Sequence, residues 1–249
     1  MTNIIRFEST GELVFVSDLQ PTAESFEVLR SGNHEGELST ILGKITGAKC
    51  TVGVAKPICV SLDNCYQMRG LELPKKFSGL SGDFSKFKYF VARFACSFVT
   101  IKNCQIEESR FDVQLSGENG SAPIALDLLP NRVVTSSPQR KVTTKIGADL
   151  KFLESGVSGE YVSEFEHEKY EPEIYSYGVQ TSQFRWKLKR TTQSPIEGDR
   201  MFFAIIGKPP HSQVSAQFKV SVIIQTTAFR KIILDTRNDL VANSACVLL

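Results

Sequence analysis

The chain has 249 residues, 41% of them hydrophobic, 22% charged and 10% aromatic, a globular composition that excludes collagen-like, mucin-like and wholly disordered classes. Its 29 Lys and Arg against 27 Asp and Glu leave a formal net charge of +2, far from the excess of a general nucleic-acid binder, so any electrostatic partner must be met by a local patch. Six cysteines (Cys50, Cys59, Cys65, Cys96, Cys104, Cys246) form neither a CxxC pair nor zinc-finger spacing, and read as buried or free thiols of a reducing compartment.

Met1–Phe7 places Ile4 and Ile5 beside Arg6 and lacks the apolar stretch of a secretory signal. No run approaches the ~18 apolar residues of a spanning helix. The expectation is a protein that is cytoplasmic at rest and crosses a membrane, if at all, as strands. Pro21–Arg30 fits either a short helix or a strand.

Lys75, Lys76, Lys86, Lys88 and Arg93 are interleaved with Phe77, Phe84, Phe87 and Phe90, with Asp83 the sole acidic residue between them. Such a stretch suits anionic headgroups, each cation contributing about 1 kcal/mol at an acidic surface. A single-stranded RNA platform would share its composition, but the RNP-type aromatic spacing is missing.

Strict period-two alternation then dominates. Lys88–Ile101 sets Phe90, Ala92, Phe94, Cys96 and Phe98 against Val91, Arg93, Ala95, Ser97 and Val99, and is expected to form a hairpin with Asn103–Leu115. Pro123–Leu129 is expected to make about two helical turns. Lys141–Phe152 puts Val142, Thr144, Ile146, Ala148, Leu150 and Phe152 on one side and Lys141, Lys145, Asp149 and Lys151 on the other. Gly156–Glu168 follows, with Val157, Gly159, Tyr161, Ser163 and Phe165 opposed to Glu160, Glu164 and Glu166. The two runs are expected to pair around Ser155–Gly156. Phe184, Trp186 and Leu188 alternate with Arg185, Lys187 and Lys189. Val214–Thr226 alternates throughout except at Ile223, and Asp235–Asn243 can form two further helical turns.

The fold class expected is α+β: a β-rich, twisted antiparallel sheet with a few short helices, whose amphipathic hairpins can form an oligomeric transmembrane β-barrel. Each long run has the ~9–11 residues a tilted strand needs to span a bilayer, where only a closed barrel satisfies every backbone group. The plainer account of alternation is one face on a core and one in water.

Enzyme chemistry finds no foothold. His34, His167 and His211 are far apart, and the chain has no HExxH, GxSxG, GxxxxGK[ST] or GxGxxG. No catalytic residue, metal, nucleotide or other cofactor is implied. The final Cys246-Val247-Leu248-Leu249 matches the C-a-a-X prenylation signal, making Cys246 a lipidation candidate.

The segment Glu8-Ser9-Thr10-Gly11-Glu12-Leu13-Val14-Phe15-Val16-Ser17-Asp18-Leu19-Gln20 resembles the start of gasdermin pore-forming domains. Lys141-Val142-Thr143-Thr144, Lys169-Tyr170-Glu171-Pro172, Tyr177-Gly178, Arg185-Trp186 and Gly207-Lys208-Pro209 are similar to segments common in fungal proteins, pointing to the fungal regulator-of-cell-death gasdermins. The resemblance implies a single pore-forming domain over 1–235 with a short tail over 236–249 and no repressor domain. It also implies binding to acidic phospholipid at the plasma membrane, oligomerisation with itself or with a divergent allelic homologue, and lytic cell death in allorecognition. Nucleic acid is not an implied partner. Arg6, with Lys44 or Lys49, is the nearest match to the family's first lipid contacts. Lys75, Lys76, Lys86, Lys88 and Arg93 would add to them. Val142, Ile146, Leu150, Phe152, Tyr161 and Phe165 from one hairpin, and Phe90, Phe94 and Phe98 from the other, would face lipid. The alternative is a non-lytic β-rich interaction module, membrane-tethered by prenylation at Cys246.

Overall fold

Alternating β-branched and aromatic residues become strands wherever one face can be buried, and here they build two antiparallel sheets packed face to face. The computed structural model describes residues 12–22, 50–61, 87–100, 104–118, 122–133, 144–145, 162–163, 172–192, 194–226, 232–236, 241 and 245–248. The strands are β1 (Leu13–Asp18), β2 (Gln20–Pro21), β3 (Cys50–Ser61), β4 (Lys88–Thr100), β5 (Cys104–Gly117), β6 (Ile124–Leu129), β7 (Arg132–Val133), β8 (Thr144–Lys145), β9 (Val162–Ser163), β10 (Glu173–Tyr177), β11 (Gln183–Lys189), β12 (Gly198–Lys208), β13 (Val214–Thr226), β14 (Ile232–Asp235) and β15 (Cys246–Val247).

One sheet has the order β1-β3-β4-β12-β6; the other runs β2-β14-β13-β5-β11-β10-β7, with β15 also on β13, and β8-β9 form a separate pair. The architecture is therefore a sandwich and not a closed barrel. Its two edges are nevertheless joined by the chain itself. β1 ends one sheet and β2 begins the other, with buried Leu19 at the corner. At the far edge, Pro130 and Asn131 carry the chain from β6 to β7.

The core lies between the sheets and is aromatic. Trp186 of β11 stacks on Phe202 of β12 at 4.8 Å between ring centroids and meets Phe184 edge-on at 5.4 Å. Phe94 of β4 meets Phe184, Trp186 and Phe218 at 5.9, 5.9 and 6.1 Å. Phe111 of β5 lies against Phe202 at 5.7 Å and Phe218 at 5.9 Å. Such contacts add roughly 0.5–1.5 kcal/mol each beyond area burial.

Two expectations are corrected. Lys88–Ile101 does not form a hairpin with Asn103–Leu115: β4 and β5 lie in opposite sheets, β4 between β3 and β12, β5 between β13 and β11. The reason is that both apolar faces are strong, so each strand satisfies its own sheet and the two faces meet across the core. Pro123–Leu129 is not helical but carries strand β6, registered on β12 with Phe203 opposite Leu129 and Gly207 opposite Ile124. Ala125, Leu126, Leu128 and Leu129 are all buried, and burial on both sides of a strand removes the alternation that would have marked it. Of Asp235–Asn243, Asp235 ends β14, buried Thr236 follows it outside any helix with its hydroxyl bonded to the Val220 backbone, and Val241 is helical; of Pro21–Arg30, Pro21 lies in β2 and Thr22 follows it; the other residues of both segments lie outside the described residues.

Candidate functional site: the hairpin root and the outer sheet face

The site begins where the chain leaves the larger sheet. β7 pairs with β10, Arg132 opposite Tyr175 and Val133 opposite Ile174. Below this, the Ser176 N–H donates to the Asn131 carbonyl at 2.9 Å and the Ser176 hydroxyl to Asn131 Oδ1 at 3.1 Å. Val133 and Ile174 pack on the core, while Arg132 lies 5.8 Å from the Tyr175 ring. The Tyr175 hydroxyl donates to Glu173 at 3.1 Å, and that bond raises its pKa.

The next pair up the chain is β8 with β9, Thr144 opposite Ser163 and Lys145 opposite Val162. Thr144 is eleven positions after Val133, and Ser163 is eleven positions before Ile174. Equal advance on both arms is the condition for one ladder without a net bulge. The sequence midpoint of this register falls between positions 153 and 154, close to the expected turn at Ser155–Gly156.

The outer face of the larger sheet beside this root is a charged lattice. Strand register places Lys219, Asp112 and Arg185 side by side, and next to them Gln217, Gln114 and Gln183. Lys187 and Arg110 both reach Glu108, at 2.7 and 3.1 Å, and Lys219 reaches Asp235 at 2.8 Å. A cleft of about 560 Å³ lies over these residues, Lys187 excepted. Burial alone would raise the Glu108 pKa, but hydrogen bonds from Lys187 and Arg110 outweigh it and hold it low. Asp112 goes the other way: burial raises its pKa against the pull of Arg185, Lys219 and Arg110. Its Oδ1 lies 2.9 Å from Arg185 Nε, an ion pair without hydrogen-bond geometry.

The expected site residues are distributed unevenly. Arg6, Lys44, Lys49, Lys75, Lys76 and Lys86 lie outside the described residues, as do Val142, Ile146, Leu150, Phe152, Tyr161 and Phe165. Lys88 opens β4 opposite Lys208, and Arg93 is half-buried opposite Phe203. Phe94 and Phe98 are fully buried in the core and Phe90 is buried, with Lys208 Nζ 5.3 Å from its ring. Facing lipid through these three would mean emptying the sandwich. Cys246 sits in β15 opposite Ala216, half-buried against the core, and burial pushes its thiol up to about 11. The Leu248 N–H donates to the Val214 carbonyl at 2.8 Å, so this tail is paired as strand. Burial likewise raises Cys50 and Cys59 to about 12.

No model of a known protein family and no curated protein matches this sequence. Among the described residues no helix is long and apolar enough to cross a membrane. The charged lattice was not anticipated; alternation of Glu108, Arg110, Asp112 and Gln114 within Asn103–Leu115 was its available signal.

Proposed function

We propose that this chain is a membrane pore-forming protein of gasdermin type. It binds acidic phospholipid, assembles with further copies or a divergent homologue, and inserts the hairpin that rises between β7 and β10 into a β-barrel, with lytic cell death in fungal allorecognition as the consequence. The single observation that supports this is the register shared by β7–β10 and β8–β9. In the proposed hairpin the same pairing, carried on along the sequence, would set Val142 opposite Phe165, Ile146 opposite Tyr161 and Leu150 opposite Val157. On the other face, where Lys145 stands opposite Val162, it would set Lys141 opposite Glu166 and Thr143 opposite Glu164. Directly opposed residues share a face, so in the proposed hairpin both arms would contribute their apolar side to one surface and their charges, with Val162 among them, to the other. A slip of one residue would set apolar against polar along the whole ribbon.

The inserting segment in this proposal is one hairpin per subunit, since Phe94 and Phe98 hold the core. The cation patch at Lys75–Arg93 and Arg6 serve as the first electrostatic contacts. Lipidation at Cys246 would require β15 to leave β13. Release of an encapsulated dye from vesicles containing phosphatidylserine tests the reading, and vesicles that bind protein while staying sealed would refute it.

A non-lytic interaction module is the second reading, favoured by a specific observation: β4, β11 and β13 spend their apolar faces on the core, and the cleft over β5 and β13, lined by charged and apolar side chains together, offers a surface for a partner. That reading predicts binding without leakage.

A further inference from the structure

Ion pairs on a sheet face cancel when both members are equally exposed, and on the outer face of the larger sheet they are not. Glu108 and Asp112 are 17% and 18% exposed, whereas Arg110, Arg185 and Lys187 beside them are 45%, 40% and 30% exposed. The carboxylates form a floor and the cations the accessible layer. Glu108 is shared: Oε1 accepts from Arg110 Nε and Nη2 at 3.2 and 3.1 Å, and Oε2 lies 2.7 Å from Lys187 Nζ. Arg185 Nε lies 2.9 Å from Asp112 Oδ1, yet its guanidinium donates no hydrogen bond among the described residues. Three cations therefore stand over two carboxylates. The charges around them are engaged elsewhere: Lys219 lies 2.8 Å from Asp235, Lys189 is opposite Glu173, and Arg132 is 5.8 Å from the Tyr175 ring.

Arg110, Arg185 and Lys187 line one pocket of about 460 Å³ together with Tyr177, Gly178 and Gln183, a volume within the ~300–1,000 Å³ of small-molecule sites. Tyr177 stands directly opposite Arg185, so the two share a face. Its ring is 51% exposed and has no aromatic or cationic partner among the described residues. The turn that carries it is fixed. Gly178, at φ +90°, lies so close to the Gln183 carbonyl that a Cβ there would sit 2.2 Å from it. The Ala125 N–H of β6 donates to the Thr181 carbonyl at 2.9 Å. The position after Tyr177 thus adds no side chain to the pocket, and the Tyr177 ring stands at its wall.

We infer that this pocket binds a phosphate monoester carried on a flat ring, the chemistry of a nucleotide. A phosphate monoester offers three terminal oxygens, one for each cation, where a carboxylate offers two. Cations already anchored from below by Glu108 and Asp112 lose little freedom on meeting it, which is the gain of preorganisation. The free face of Tyr177 supplies stacking for the ring, and the Gln183 amide, which has no side-chain partner among the described residues, supplies a donor and an acceptor for the ring's polar edge. Every residue involved belongs to the folded sandwich, so the site does not depend on insertion of the hairpin.

The test is calorimetric titration of the full-length protein in solution with three probes. Adenosine 5′-monophosphate carries ring and phosphate, glycerol 3-phosphate the phosphate alone, and adenosine the ring alone. The monophosphate should bind about tenfold more tightly than glycerol 3-phosphate, and adenosine least of all. Tyr177→Ala, at an exposed position, should bring the monophosphate down to the level of glycerol 3-phosphate and leave the latter unchanged. Arg185→Gln with Asp112→Asn removes an ion pair without altering net charge, and should weaken both phosphates about tenfold; a melting curve shows that the double variant is folded, and Tyr177→Ala carries the test if it is not. Competition by a 5′-phosphorylated single-stranded oligonucleotide assigns the ligand to a nucleic-acid end, and lack of competition assigns it to a free nucleotide. Glycerol 3-phosphate binding as tightly as the monophosphate, monophosphate binding untouched by either variant, or no saturable binding of the monophosphate overturns the inference.

Discussion

Thr144 stands opposite Ser163 in the register that already pairs Val133 with Ile174. Backbones paired in this way lie about 4.5–5.5 Å apart at Cα, within reach of a disulfide. If the hairpin enters the bilayer as an intact ribbon, Thr144→Cys with Ser163→Cys, once oxidised, permeabilises vesicles as fast as its reduced form. Loss of leakage on oxidation, restored by reductant, would mean that the arms separate on insertion.

The core makes a separate demand. Trp186 is wholly buried and its indole N–H has no hydrogen-bond partner, a cost of about 1–3 kcal/mol that its stacking on Phe202 and Phe111 has to offset. Trp186→Ala should lower stability by about 3–5 kcal/mol through loss of contacts to both sheets. Trp186→Phe should cost much less, because it removes the unsatisfied donor together with part of the ring. Urea denaturation of the two variants checks this; equal losses would show that the aromatic stack is not what holds the sheets together.

Glu108 and Asp112 predict opposite pH signatures. The folded Glu108 pKa is held below 4.5, so its contribution is present above that value and is lost as pH falls through the folded pKa. The folded Asp112 pKa lies above 3.8, so its contribution is full below 3.8 and is lost as pH rises through the folded value. Relative to wild type, Glu108→Gln should be destabilised at pH 7, with the deficit closing in acid. Asp112→Asn should be relatively more stable at pH 7 than in acid. Melting temperatures from pH 3 to 7 distinguish the two, and parallel curves for both variants would contradict the assigned directions.

Much of this sandwich is legible in the chain. The alternation at Phe90–Phe98, Phe184–Leu188 and Val214–Thr226 becomes β4, β11 and β13 with the apolar side inward. Even the irregular Ile223 has a structural counterpart. The ladder to β5 shifts there, leaving Glu107 without a strand partner opposite and free to take the Arg190 guanidinium at 2.6 Å. What alternation conceals is which strands become neighbours. β4 and β5 are consecutive and equally amphipathic, so a hairpin and a pair of facing sheets satisfy the same pattern. β6 and the second half of β12 are buried on both faces and carry no period to read. β3 has a register shift between Ala55 and Ile58, around Pro57, which hides its alternation too. For Lys141–Phe152 and Gly156–Glu168 the faces are read from sequence, which carries no register; the backbone supplies one at Thr144–Ser163 and Lys145–Val162.

The most direct measurement is dye release from phosphatidylserine vesicles by wild-type protein beside Ile146→Lys with Leu150→Lys. The account predicts leakage by wild type, and a double variant that stays soluble, still sediments with the vesicles and releases nothing. A double variant that leaks like wild type, or a wild-type protein that never releases dye, would contradict it.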